Sequence, residues 1–339
     1  MAGLITCARS LGRGVAVGAI IALLIWGLGG LGAQQSSLIA VEQGVSPGEI
    51  YYQSSGEPDR ATVTLTLNAL RDAPFPLDLV LVVDRSASSD VITVRQIGRE
   101  ILGRLGGEDR AALVSFADEA TLDVGLTHNR GAVVEALDRL ENEGKTALGE
   151  GLAEANRELL ENGREDAVWV EILLVDGRSN AGRDPLPQAE IAGRNGIVIF
   201  AIGIGRYLRE DILNEITGDT GGAFFEKYEE GVLDELFSKI DRDLVGTRIT
   251  ITETLAAGFS YAGAPANSPA VSSRDGLTTL TWNVEELPVG GSWSTSYEIS
   301  YAPPLSERET LEIFTEPGTL SFTDFRHQAR ELELAMLSL

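Results

Sequence analysis

An aspartate and two serines stand at alternate positions in Asp84-Arg85-Ser86-Ala87-Ser88, directly after the aliphatic run Leu79-Val-Leu-Val-Val. Alternate residues of a short loop can face the same way, so one carboxylate and two hydroxyls are expected to converge there. Two more oxygens are placed to reach the same point: Thr146 in Gly144-Lys-Thr-Ala-Leu, and Asp176 at the end of Ile172-Leu-Leu-Val-Asp-Gly. Asp84, Ser86, Ser88, Thr146 and Asp176 form a set of hard oxygen donors. Such a set suits Mg²⁺, the expected ion, or alternatively Mn²⁺ or Ca²⁺, and suits soft metals poorly. Each residue also has a plainer use. Ser88 or Ser89 can cap a helix starting at Asp90, Thr146 can cap another, and Asp-Gly at 176 can be a turn.

The elements that must position these residues are legible around them. Leu79 to Val83, Ala111 to Phe116, Val168 to Val175 and Ile197 to Ile202 read as strands, most of them nearly continuous in aliphatic residues. Such runs suit strands covered on both faces, hence a mainly parallel sheet. Between them Val91 to Leu105, Arg130 to Leu140, Leu148 to Leu160, Leu186 to Asn195, Arg209 to Ile216 and Gly231 to Leu244 read as helices. The alternation predicts a doubly wound α/β domain whose ligands bind at the carboxyl edge of the sheet.

After Gly246 the texture changes to period-two alternation of Thr, Ser, Tyr and Trp, as in Leu277-Thr-Thr-Leu-Thr-Trp-Asn-Val, punctuated by Gly and Pro. Short alternating strands of this kind predict an antiparallel β-sandwich, with Trp282, Trp293, Tyr297 and Tyr301 in its core. Ala61-Thr-Val-Thr-Leu-Thr-Leu-Asn alternates in the same way but is too short to fold alone. Residues 45 to 70 are therefore expected to pair with the C-terminal strands, so that the α/β domain is inserted into the sandwich. The expected division is 1–33, 34–77 (linker and sandwich strands), 78–245 (α/β domain) and 246–339 (sandwich).

Leu79-Val-Leu-Val-Val-Asp-Arg-Ser-Ala-Ser, Ala111-Ala-Leu-Val-Ser-Phe-Ala-Asp, Gly144-Lys-Thr-Ala-Leu and Ile172-Leu-Leu-Val-Asp-Gly-Arg-Ser-Asn, in this order, resemble a von Willebrand factor type A domain over residues 78 to 245. The resemblance implies a metal-ion-dependent adhesion site. Ser86, Ser88 and Thr146 would then be hydroxyl ligands, direct or through water, and Asp84 and Asp176 would act mostly through water. Ser89 departs from the pattern, since relatives frequently carry Met there, but that position is not a ligand. A cation held largely by neutral hydroxyls and water stays electrophilic and keeps a position for a carboxylate from another molecule. The implied function is cation-dependent protein binding, the partner presenting an Asp or Glu. The alternative is a structural role in envelope assembly, with the metal only stiffening the loops.

Other function classes fit poorly. The chain of 339 residues carries 51 Asp and Glu against 27 Lys and Arg, a net charge of −24, which repels nucleic acid. One Cys and two His cannot furnish the N and S ligands of a structural zinc site. Gly144-Lys-Thr lacks the first glycine of a P-loop, since Arg139 occupies that place, and Gly203-Ile-Gly lacks the third glycine of a dinucleotide fingerprint. A phosphotransfer enzyme built on Asp84 would need an acid/base partner, and His128 and His327 are remote in sequence, so no enzyme is expected.

Arg9 and Arg13 precede an uncharged apolar run from Val15 to Leu31, with no acid in residues 1 to 33. That order is a signal for export, cleaved near Ala33, or an uncleaved N-terminal anchor attaching the protein to a membrane through residues 15–31. Either reading places the rest outside the cytoplasm: at the cell surface, in the periplasm or secreted.

Overall fold

The computed structural model describes residues 29–48, 59–176, 179–205, 208–302 and 310–339. Most of the predicted N-terminal signal or anchor lies outside these residues. Among the described residues, no helix is long and apolar enough to cross a membrane.

The centre of the α/β unit is β4 (Leu77–Asp84), every residue of which is buried. It pairs in parallel with β5 (Arg110–Phe116) on one side and with β7 (Val168–Val175) on the other, and β7 pairs in parallel with β8 (Ile197–Gly203). β7 and β8 are also buried throughout, which is why these strands carry unbroken aliphatic runs. The sheet is completed by β6 (Ala120–Thr127), antiparallel at one edge, and by β9 (Phe224–Phe225) at the other. The order is β6-β5-β4-β7-β8-β9. The chain winds outward from β4 in one direction and then, from β7, in the other. The switch point, where ligands bind in such sheets, falls between β4 and β7.

Among the described residues six helices cover the faces: α1 (Val91–Gly103), α2 (Arg130–Arg139), α3 (Leu148–Asn162), α4 (Leu186–Arg194), α5 (Glu210–Asp219) and α6 (Val232–Ser238). One helix is shorter than its sequence pattern predicts. The stretch expected to be helical from Gly231 to Leu244 ends at Ser238, because Leu244 already begins β10 (Leu244–Leu255) and pairs with Pro288.

Two antiparallel sheets of five strands make up the sandwich-like remainder. One has the order β1-β2-β3-β14-β11 and the other β12-β13-β10-β15-β16. Here β1 is Gly29–Gln35, β2 Ile39–Ser46, β3 Asp59–Ala69, β11 Phe259–Ala266, β12 Ala270–Arg274, β13 Leu277–Pro288, β14 Ser292–Tyr301, β15 Thr319–Asp324 and β16 Ala329–Glu333. β3 pairs along its length with β14, joining the segment before the α/β unit to strands after it. β1 runs across residue 33, with Ala33 opposite Glu42. Between the two sheets Trp282 and Tyr297 pack at 5.2 Å, both buried, while Trp293 and Tyr301 are half-buried. His327 lies in the β15–β16 turn with φ 58° and does not line a sheet face.

The two connections into the α/β unit are fastened together at the amino end of its strands. Phe75 N donates to Arg242 O at 2.8 Å, Arg242 Nε donates to Phe75 O at 2.7 Å, and the Arg242 guanidinium pairs with Asp109. The β15–β16 turn docks at the same end. Phe325 stacks on Phe75 at 3.7 Å, and the Arg326 guanidinium lies 3.5 Å over the Trp169 ring. The opposite end of the sheet carries none of these contacts. It lies a strand of eight residues away, about 25 Å.

Candidate metal centre

Asp84 is the last residue of β4 and is 0% exposed. Its Oδ1 accepts from Ser86 N at 2.8 Å, which turns the chain sharply at the strand end. Ser89 closes the loop by donating its hydroxyl to Asp84 O at 2.7 Å. The turn brings Ser86 Oγ to 3.3 Å from Ser88 Oγ, with Ser86 buried and Ser88 exposed. Arg85, between Asp84 and Ser86, points elsewhere, donating to Ser115 Oγ and pairing with Glu143. Asp84, Ser86 and Ser88 are thus drawn together within one loop.

Asp176 follows β7, the parallel neighbour of β4, and its Oδ2 accepts from Asp90 N at 2.9 Å. Thr146, 2% exposed, is held through its backbone. Its N donates to Asn180 Oδ1 at 3.0 Å, and its O accepts from Asn180 N at 2.9 Å. The Thr146 loop is in turn tied to the Asp84 loop, Glu143 N donating to Arg85 O at 2.9 Å and Ala87 N to Gly144 O at 3.2 Å. Three loops carrying five oxygen-bearing side chains are therefore cross-linked at the switch point of the sheet.

Neither helix-capping use is realised, and the Asp176-Gly turn involves residue 177, outside the described residues. The N-cap of α1 is Asp90, whose carboxylate accepts from Thr93 N, so neither Ser88 nor Ser89 caps that helix. The N-cap position of α3 is Ala147, without a side-chain cap, and the Thr146 hydroxyl makes no hydrogen bond with any described residue. Asp84 Oδ2 is buried and has no hydrogen-bond partner among the described residues. A buried carboxylate oxygen left in this state costs free energy unless something neutralises it. Burial pushes the Asp84 carboxyl above its usual range, and the nearby negative Asp176 carboxylate pushes the same way, against the donors of Ser86 and the backbone N–H of Asp176. Burial likewise raises Asp176.

This environment is electrically incomplete, and a small hard cation beside Asp84 Oδ2 would complete it. Among the described residues no group of three or more His, Cys, Asp or Glu is gathered as a metal cage. The donor set here has only two carboxylates and draws the rest from hydroxyls, which is the chemistry of a weakly charged oxygen site and not of a carboxylate cage. The donor chemistry fits Mg²⁺ or Mn²⁺.

Two residues that hold the loops are not evident from spacing. Asn142 Nδ2 donates to Ser86 O at 2.7 Å and to Ser89 O at 2.8 Å, clamping both ends of the serine turn. Asn180 holds Thr146 on both sides of its peptide, as described. Gly205 matters for a steric reason. A Cβ there would collide with the backbone oxygen and carboxylate of Asp176, so the second glycine of Gly203-Ile-Gly makes room for this residue. His128 is exposed, with Nδ1 3.2 Å from Asp109 O at the other end of the sheet, and takes no part in the site.

Comparison with known proteins identifies the α/β unit. Residues 78–239 match the family model of the von Willebrand factor type A domain. An uncharacterized protein of Synechocystis is 30% identical over 159 residues, covering 45% of this chain and 38% of that protein. A UPF0353 protein of Mycolicibacterium paratuberculosis is 33% identical over 157 residues, covering 40% of this chain and 47% of that one. The chain thus spans less than half the length of either relative. A solved von Willebrand factor type A structure from Catenulispora acidiphila has a TM-score of 0.48 and 16% identity, covering 90% of this chain and 75% of that one. The α/β unit is a von Willebrand factor type A domain, with a mixed, mostly parallel sheet flanked by helices, accompanied by two antiparallel sheets.

Proposed function

We propose that this von Willebrand factor type A domain binds a partner protein through a divalent cation held by Asp84, Ser86, Ser88, Thr146 and Asp176, and that it does so outside the cytoplasm. The observation that carries the reading is the buried, unpartnered Asp84 Oδ2 beside the paired hydroxyls of Ser86 and Ser88. When bound, the cation supplies an electrophilic position for a carboxylate of the partner, and Mg²⁺ is the ion this oxygen set favours. The chain's own part is to hold the oxygens in place. Asn142 fixes the serine turn, Asn180 fixes Thr146, and Asp90 N fixes Asp176.

Orientation supports a binding role. The site is at the carboxyl end of the sheet, whereas the connections to the sandwich and the β15–β16 turn are at the amino end. The candidate centre therefore faces away from the described sandwich strands, with Ser88 and Lys145 exposed on its surface. The export reading rests on the order of Arg9, Arg13 and the apolar run after them.

The test is capture of exported proteins by the immobilised full chain in Mg²⁺, repeated with EDTA and with Ser86→Ala. A partner released by EDTA and not captured by the variant supports the reading. Capture that survives both treatments assigns binding to another surface and leaves the cation, if any, a stiffening role.

A further inference from the structure

We propose that the cleft beside the Thr146 loop is a specificity subsite that seats an apolar side chain of the partner, in the same segment as the acidic residue that meets the cation. The inference rests on the cation-dependent reading above. The cleft is a cavity of about 350 Å³ lined in part by Leu148, Asn180, Ala181, Arg183, Arg209 and Ile212. Its wall is built by the residues that hold the candidate ligand: Asn180 N and Ala181 N both donate to Thr146 O, and Asn180 Oδ1 accepts from Thr146 N. Leu148, on the cleft lining, is two residues beyond Thr146. The cleft and the candidate centre are therefore contiguous.

The chemistry of the cleft selects its occupant. Leu148 and Ile212 supply an apolar lining, the first buried and the second half-buried. The two guanidinium groups at the rim already have counter-charges. Arg183 pairs with Glu150 at 2.9 Å, and Arg209 is bidentate to Asp211, with Nε 2.8 Å from Oδ1 and Nη2 2.6 Å from Oδ2. Asp184, also lining the cleft, accepts from Leu186 N at 3.1 Å. An entering anionic group would lose hydration while finding both described guanidinium groups already paired, whereas an aliphatic or aromatic side chain gains buried apolar area against Leu148 and Ile212. The volume is at the low end for small-ligand sites, and admits one large side chain but not a folded element. An extended segment advances roughly 3.3–3.6 Å per residue, so a side chain a few positions from the acidic residue reaches the cleft.

The experiment is selection of displayed peptides with a fixed central Asp and random flanks on the full chain in Mg²⁺, with elution by EDTA. It is run beside Ile212→Lys, which places a charge in the cleft, and Ile212→Trp, which fills it. Ile212 is half-buried in the first turn of α5, outside the proposed ligand set. Thermal unfolding and Mg²⁺ affinity matching the parent show that a variant is folded with its cation site intact, and either variant alone suffices. The expected result is an apolar residue enriched at one offset from Asp with the parent chain. In the variants that preference disappears, the Asp requirement stays, and the recovered peptides bind at least tenfold more weakly. Asp-dependent, EDTA-eluted peptides that lack an apolar preference, or keep it in the variants, overturn the subsite and leave the cation reading standing. Peptides that are neither Asp-dependent nor EDTA-eluted overturn the cation reading and the subsite with it.

Discussion

Asp78 and Asp84 bracket the single strand β4, both with no exposed surface, and only Asp78 has counter-charges. Arg110 Nε is 2.9 Å and Arg164 Nη2 2.7 Å from Asp78 Oδ1, and Arg164 N donates to Asp78 Oδ2. Asp84 has the Ser86 amide on Oδ1 and, among the described residues, no hydrogen-bond partner on Oδ2. The two carboxylates should therefore respond to the same substitution in opposite ways. Asp78→Asn leaves two arginines facing a neutral group and is expected to cost about 3–5 kcal/mol. Asp84→Asn removes an uncompensated buried charge and is expected to leave stability without metal unchanged or raised. Urea unfolding of both variants in EDTA checks the contrast.

Asn142 offers a second test. Both hydrogens of its amide are committed to Ser86 O and Ser89 O, which hold the serine turn against the Thr146 loop. Asn142→Asp keeps the shape and removes both donors. The expected outcome is a loss of Mg²⁺ affinity of about tenfold, corresponding to one or two net hydrogen bonds. Isothermal titration with Mg²⁺ measures it, and unchanged affinity would mean that the turn holds itself.

Gly205 should be as sensitive as a ligand. A methyl group there has no space beside Asp176, so Gly205→Ala must displace the carboxylate or the segment bearing it. Mg²⁺ affinity is expected to fall at least tenfold, with the helical and strand content seen by circular dichroism preserved.

How much of this was legible in the sequence depended on burial. β4, β7 and β8 are covered on both faces, so their aliphatic runs were unmistakable, and the predicted start of α1, α2, α3 and α4 agrees with the structure. β6 carries no such run, because it is a half-exposed edge with a broken pairing register to β5. The shortened α6 was masked by Ile240, Leu244 and Val245, which continue the apolar pattern while the last two already belong to β10. In the candidate centre, the alternate spacing of Asp84, Ser86 and Ser88 was visible because those residues share one loop. Asn142 and Asn180 act on residues 56 and 34 positions away, and an asparagine in a loop has no periodicity that would mark it.

The sandwich carries its own pH dependence. Glu253 on β10 is buried between the two sheets, accepting from Gln43 Nε2 and, at 2.7 Å, from Tyr297 Oη, and burial pushes its carboxyl up to about 7 despite these donors. Since the folded value lies above the ordinary value of 4.5, the native state holds a proton that the unfolded chain releases between them. This group's contribution therefore makes stability fall as pH rises from about 4.5 to about 7, by on the order of 3 kcal/mol, and then level off. Glu253→Gln mimics the protonated form. It is expected to match the parent near pH 4.5 and to exceed it near pH 8, as read by urea unfolding at the two pH values.

The most direct test of the central claim is calorimetric titration of the metal-stripped full chain with Mg²⁺ and Mn²⁺, beside Asp84→Ala. Saturable binding of one ion per chain, lost in the variant, is the result expected from a cation completing Asp84 Oδ2 and the hydroxyls around it. Absence of binding in the parent chain, or equal binding by the variant, would contradict it.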